Sequence, residues 1–152
     1  MPHSVEIRAA LPADAEGVSR CVAAAYSMYI PRLGRPPGPM LQSYDKVIVE
    51  RAVYVVNDGR DIIGVLVLGN DEEGLLLENV AVDPGHHGKG VGKALLQFAE
   101  AEARRRGYSG IHLYTNVVMT ENQLLYSKIG YAEYARREED GFSRVYMRKV
   151  LA

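Results

Sequence analysis

The sequence predicts a mixed α/β fold, with a central, mostly antiparallel sheet flanked by about four helices. Three observations lead there. Between Ala52 and Val82, apolar runs are separated by Asn57-Asp58-Gly59 and by the polar stretch Gly69–Gly74, the pattern of an antiparallel meander. From Leu75 to Ala94 the chain reads LLLENVAVDPGHHGKGVGKA, an apolar strand that ends at Asp83-Pro84 and passes through glycines into an apolar-periodic helix. A further strand, Ile111–Asn116, follows that helix, and the intervening helix allows it to lie parallel to Leu75–Val82.

The remaining elements follow in order. Ser4–Leu11 alternates and reads as a first strand. Pro12 opens a helix with Val18, Cys21, Val22 and Ala25 on one face. Tyr26–Tyr44 is a connector by position, yet its Pro, Gly, Tyr and Met content suits the wall of a pocket. A second helix covers Met40–Glu50, and Ala52–Val56 and Asp61–Leu68 form the first hairpin. The helix after the glycines runs to about Arg106, with Val91, Ala94, Leu95 and Phe98 as its buried stripe and Gly107 as its stop. Thr120-Glu121-Asn122-Gln123 has the capping-box pattern and opens a short helix, in which Leu125 and Ile129 share a core face before Gly130 ends it. Tyr131–Arg136 and Ser143–Lys149 form a last hairpin across Glu138–Gly141. With no repeat, low-complexity tract or linker, residues 1–152 read as a single domain.

A chain of 152 residues buries roughly 70% of its unfolded surface, enough for a real core. The formal net charge of −1 gives no global attraction to nucleic acid or to an anionic membrane. No apolar run is long enough to span a bilayer, and MPHSVEIRAA lacks the basic-then-apolar order of a secretory signal. Cys21, the sole cysteine, excludes an internal disulfide and reads as a buried structural thiol. These features favour a cytoplasmic protein without nucleic-acid or membrane partners. They leave the oligomeric state open, with a homodimer compatible.

The turn between strand and helix is an anion site by construction. The first N–H groups of a helix have no intrahelical partner, and the helix dipole adds positive charge there. Gly88, Gly90 and Gly92 leave that backbone uncovered, and Lys89 and Lys93 add mobile cations. A Walker A loop is excluded, because Gly92-Lys93 is followed by Ala94 and position 87 is His. A dinucleotide fingerprint is excluded by Lys93, which stands where a third small residue is needed.

The strand ending Ala81-Val82-Asp83-Pro84, followed by His87-Gly88-Lys89-Gly90-Val91-Gly92, resembles the Arg/Gln-x-x-Gly-x-Gly/Ala motif of the GNAT N-acetyltransferase superfamily. His87 stands where that family usually has Arg or Gln, and histidine, unlike arginine, changes charge near neutral pH. Leu125-Tyr126-Ser127-Lys128-Ile129-Gly130-Tyr131 resembles the family's Leu-Tyr-x-x-x-Gly-Phe/Tyr segment. The order of elements is similar over nearly the whole chain. The resemblance implies that the parallel strands splay apart at their C-terminal ends. It implies further that His87, Gly88, Lys89, Gly90, Val91, Gly92, Lys93 and Ala94 hold the acetyl-CoA pyrophosphate, while the pantetheine arm pairs with Val80, Ala81 and Val82. Many members carry an Asn seven residues before the first Tyr of the second segment. That position is Met119 here, so Asn122 is the candidate for the polar pantetheine contact, with Asn116 on the neighbouring strand.

Acetyl transfer from a thioester to an amine needs a deprotonated amine, donors for the oxyanion and a proton for the leaving thiolate. Tyr126, which the resemblance puts near the sulfur, is the candidate acid, and backbone N–H groups near Val80 are the oxyanion donors. The base is more open. Glu78 lies two residues before Val80, on its face by strand alternation; Tyr114 and Asn116 compete for holding a water, and His112 is an outsider. His86 and His87 do not read as a metal pair, since adjacent side chains seldom reach one ion, and no metal is expected. Tyr26, Tyr29, Arg32 and Met40 are candidates for the acceptor wall. The expected function is acetyl-CoA-dependent N-acetylation by direct transfer, with a small-molecule or peptide amine as acceptor. The rival is a non-catalytic acyl-CoA-binding module on the same fold.

Overall fold

The computed structural model describes residues 5–151, so Ser4 of the expected first strand lies outside the described residues. In chain order the described residues form strand β1 (Ile7–Ala9), helix α1 (Ala15–Tyr26), α2 (Ile30–Leu33), α3 (Tyr44–Glu50), then β2 (Ala52–Asn57), β3 (Ile62–Asp71) and β4 (Gly74–Val82). There follow α4 (Val91–Arg105), β5 (Gly110–Asn116), α5 (Thr120–Lys128), β6 (Ala132–Glu139) and β7 (Phe142–Val150). The strands make one sheet in the order β1-β2-β3-β4-β5-β7-β6, antiparallel except for the pair β4–β5. This is the mixed, mostly antiparallel α/β architecture expected from the sequence.

Helices cover both faces over the centre of the sheet, so β3 reads as a continuous apolar run rather than an alternating one. Leu66 and Leu68 join one core with Leu95, Leu96, Ala99 and Ala103 of α4. Val65 and Val67 join the other with Val18, Cys21 and Val22 of α1 and Val47 of α3.

The feature that shapes the site is a β-bulge. Leu68 pairs with Leu77 but Val67 pairs with Asn79, which leaves Glu78 as an extra residue in β4. An extra residue bends a strand and resets its alternation. Leu75 and Leu77 therefore belong to the α4 core, whereas Ala81 belongs to the α1 core and Val80 and Val82 pack back against the α4 side. The parallel pairing of β4 with β5 also stops there, after Leu75–Ile111, Leu76–His112 and Leu77–Leu113. Beyond that point β4 stays on β3 and β5 stays on β7, and the sheet opens.

Several local expectations are corrected. The helix expected over Met40–Glu50 is interrupted: a single turn covers Gly38–Leu41, and α3 starts only at Tyr44, after extended backbone at Gln42 and Ser43. The short α2 inside the supposed connector had no periodicity to announce it. The polar stretch Gly69–Gly74 is mostly strand, since Asn70 and Asp71 pair with Leu75 and Gly74. The buried stripe of α4 is turned toward Leu96, Ala99 and Ala103, with Ala94 and Phe98 only half-buried. The capping box does not form: Met119 is the N-cap residue, and the Gln123 amide donates instead to the carbonyl oxygens of Asn116 (3.2 Å) and Val117 (3.0 Å). Leu125 is no core residue at 39% exposure; Tyr126 takes the inward direction instead.

Asn79, buried at the bulge, ties the layers together. Its Oδ1 accepts from the Tyr26 hydroxyl of α1 (2.9 Å), and its Nδ2 donates to the Tyr44 hydroxyl oxygen of α3 (3.2 Å). Removing a buried hydrogen-bonding partner costs ~1–3 kcal/mol. Asn79→Ala should therefore lower unfolding stability by about that amount in a urea titration, with the denaturant dependence unchanged.

Candidate active site

The site is the opening between β4 and β5, and it has two compartments. The outer one is a cleft between the C-terminal end of β4, the turn after it, and α5. Asp83 starts the turn by accepting from the Gly85 N–H (2.8 Å), and Pro84–His86 forms a single turn. Gly90 then takes a left-handed conformation (φ 81°) as the N-cap residue of α4. Glycine adopts that conformation without strain, and no side chain caps the helix, so the N–H groups of Val91, Gly92 and Lys93 remain unpaired by the helix and face the cleft region. Ala94 donates to the Gly90 carbonyl (3.0 Å) and so lies past this set.

Val80, Ala81, Val82, His87, Gly88, Gly90, Val91, Gly92, Lys93 and Asn122 all line the outer cleft. Lys89 and Ala94 do not. Tyr29, expected in the acceptor wall, lines this cleft too, together with His86, Met28 and Leu125. His86 is turned toward Asp58, its Nε2 lying 3.6 Å from Oδ2.

The inner compartment opens on the α1–α3 face and is lined by Glu78, Asn79, Tyr114, Asn116, Tyr126 and Arg144, among others. Tyr26 and Asn122 line both compartments and so mark the passage between them. Tyr126 is buried against Tyr131, ring centroids 5.7 Å apart, and it is the Tyr131 hydroxyl that is buried without a hydrogen-bond partner among the described residues. Burial pushes the Tyr126 phenol well above the ordinary tyrosine range, with nearby Tyr29 adding to the effect. Tyr26 is raised likewise by burial, with Tyr126 and Tyr44 contributing. Both phenols thus stay protonated donors.

Glu78 is at the bulge, in the inner lining with Asn79, and Arg51 Nε donates to its Oε2 at 2.7 Å. It does not share a face with Val80, because the bulge breaks the strand's alternation between the two. The carboxylate rests over Gly69, where any Cβ would overlap it. Oε1 has no hydrogen-bond partner among the described residues. His112 lies away from both compartments, 2.9 Å from Asp71 Oδ2.

Two acceptor-wall candidates are elsewhere. Arg32 makes a bidentate pair with Glu121 (2.7 Å to each oxygen) and donates to the Val118 carbonyl (3.2 Å), which clamps α2 to the start of α5. Met40 packs into the α1 core and lines neither compartment. Sequence reasoning missed Asn79, Tyr44, Phe142 and Arg144 in the inner lining. Only Tyr44, at the end of the aromatic-rich connector, carried a signal.

Residues 50–133, more than half of the chain, match the family model described as acetyltransferase (GNAT) domain. The chain belongs to the GNAT acetyltransferase family. Among curated proteins it is 36% identical over 87 residues to probable N-acetyltransferase 14 of Xenopus tropicalis, a match covering 55% of this chain and 42% of that relative. The GNAT chain thus aligns with less than half of that relative's length. Among solved structures it is similar to Ard1 from Thermoplasma volcanium (TM-score 0.79, 18% identity, 99% of each chain). It is similar also to the PaiA N-acetyltransferase from Thermoplasma acidophilum in complex with coenzyme A (TM-score 0.77, 20% identity, 97% of this chain and 99% of that one). At these identities the likeness is one of fold. Among the described residues no helix is long and apolar enough to cross a membrane.

Proposed function

We propose that this GNAT protein is an N-acetyltransferase that moves an acetyl group from acetyl-CoA to a primary amine of a small molecule by direct transfer. The observation that carries the reading is the junction at Tyr26 and Asn122: an anion cradle and a polar inner cavity meet where the sheet opens. The coenzyme A complex of the Thermoplasma acidophilum neighbour supports the choice of donor. Acetyl-CoA would supply an activated acyl group and an anionic handle.

The chain's own residues fit that donor. The N–H groups of Val91, Gly92 and Lys93 take the pyrophosphate, with the side chains of His87 and Lys93 beside them. One edge of residues 78–82 has no strand partner, because β5 has left β4; its main-chain groups pair with the pantetheine amides, and the Val80 N–H serves the thioester carbonyl. Tyr126 donates to the departing sulfur. Glu78 receives the proton of the amine at its free Oε1, directly or through water, while Arg51 holds its other oxygen. A buried Cys21, its thiol pushed up to about 12 by burial, is unsuited to carry the acetyl group as a nucleophile, which favours direct transfer.

An acetyl-CoA consumption screen over amino acids, polyamines, drugs and peptides tests the reading. Thiol release that depends on an amine supports it; tight acetyl-CoA binding with no release against any amine would leave a binding module. If His87 meets the pyrophosphate, His87→Ala should weaken acetyl-CoA binding by about two- to tenfold, the worth of one hydrogen bond, and His87→Gln, which keeps a donor, by less. Calorimetry makes the comparison; parental affinity in His87→Ala would place the imidazole off the phosphate.

A further inference from the structure

Arg144 brings a cation to the lining of the inner cavity. Arg144, on β7 opposite Asn116, has its side chain only 18% exposed. Its guanidinium carbon lies over the Tyr114 ring, 4.5 Å from the centroid. The nearest carboxylates, Glu139 Oε1 at 3.7 Å and Asp140 Oδ2 at 3.9 Å, are beyond hydrogen-bond distance. Among the described residues the guanidinium makes no hydrogen bond. A guanidinium keeps its charge and carries several N–H donors in a planar fork that matches a carboxylate. With its side chain largely buried and only these two longer ion pairs, the fork has donors to spare, and an acceptor oxygen in the cavity would take them.

At the bulge end of the same cavity stands Glu78, whose Oε2 accepts from Arg51 and whose Oε1 has no hydrogen-bond partner among the described residues. Tyr114 lies within electrostatic reach of both charges. The rest of the lining mixes apolar side chains, among them Val67, Leu77 and Met119, with the polar ones of Asn79, Thr115 and Asn116. A neutral amine would satisfy one end of this cavity only.

We infer that the acceptor of the proposed acetyl transfer is an amine that also carries a carboxylate, its carboxylate forked on Arg144 and its amino group directed to Glu78. The inference rests on the N-acetyltransferase reading and names its substrate class. Arg144 acts as a specificity determinant: it binds the part of the acceptor that does not react.

The test compares kcat/KM for amino acids and their decarboxylated counterparts, L-leucine with isopentylamine and L-phenylalanine with phenethylamine, at saturating acetyl-CoA. The parent should prefer the carboxylate partner by about ten- to a hundred-fold, the range of a charge-assisted pair. Arg144→Gln should erase that preference mainly through KM, and Arg144→Lys should restore part of it, with acetyl-CoA affinity parental in both. A peptide amide beginning with Asp, acetylated with the same Arg144 dependence while free amino acids are not, would support the inference and move the carboxylate to a side chain. Equal kcat/KM within each pair, or a preference unchanged in Arg144→Gln, overturns it. The parent comparison alone decides the matter should the variants fail to fold. If no amine is acetylated, the transferase reading fails by itself, and calorimetry of L-leucine against isopentylamine decides the site: carboxylate-dependent binding lost in Arg144→Gln supports it, and equal or absent binding overturns it.

Discussion

Gly90→Asp should raise the Kd for acetyl-CoA by at least about 100-fold, equivalent to ~2.7 kcal/mol. Two effects combine. A side chain at φ 81° is strained, but Asp tolerates the left-handed region better than most residues, so the turn itself should survive. Nothing lies within 4 Å of a Cβ built there, so no overlap unfolds the loop. The carboxylate, however, sits at the N-cap position, where Asp accepts from the first helix N–H groups. It would occupy the donors meant for the pyrophosphate and repel the phosphates as well. The melting temperature should stay near parental while binding collapses. Gly90→Ala separates the terms: it keeps the strain, ~1–2 kcal/mol, without the charge, and should lose far less affinity. If calorimetry showed Gly90→Asp binding acetyl-CoA as tightly as the parent, the anion cradle would have to be elsewhere.

Tyr126→Phe should lower kcat by at least about tenfold and at most ~10⁴-fold, the span of general acid catalysis. Phe keeps the ring against Tyr131 and removes only the hydroxyl. Stability and acetyl-CoA affinity should therefore hold, which separates a chemical role from a structural one. Because burial raises its pKa, Tyr126 is a weaker acid than a free tyrosine and acts by donating a hydrogen bond as charge develops on sulfur. Steady-state kinetics with a melting curve make the check. A parental kcat, with chemistry limiting turnover, would retire the role.

Much of this was legible in sequence because the signals were local. The strand into Asp83-Pro84 and the glycines after it announce the cradle through backbone requirements alone, and the structure puts a left-handed Gly90 at the helix start. The meander and the last hairpin follow from turn chemistry, and Asp140-Gly141 both take positive φ as such a tight turn needs. The bulge at Glu78 was not legible. Period-two alternation has no mark for an extra residue, so Glu78 was assigned to the face of Val80 and Asn79 went unnoticed. Arg32 looked like a pocket cation because its partner, Glu121, is far away in sequence. Arg144 looked like an ordinary hairpin charge, since only the pairing of β7 beside β5 brings it to the cavity. Leu125 shares helical spacing with Ile129 and so reads as core, yet it is exposed at the outer cleft, while Tyr126 is the buried residue of α5.

The central claim is that the acetyl group passes directly from acetyl-CoA to an amine held in the inner cavity. Rapid-quench mass spectrometry of protein and amine together tests it most directly. The account predicts that each thiol released is matched by one acetylated amine, with the protein mass unchanged at every time point. An acetylated protein forming and decaying during turnover, or acetyl-CoA that binds and is never consumed with any amine, would contradict it.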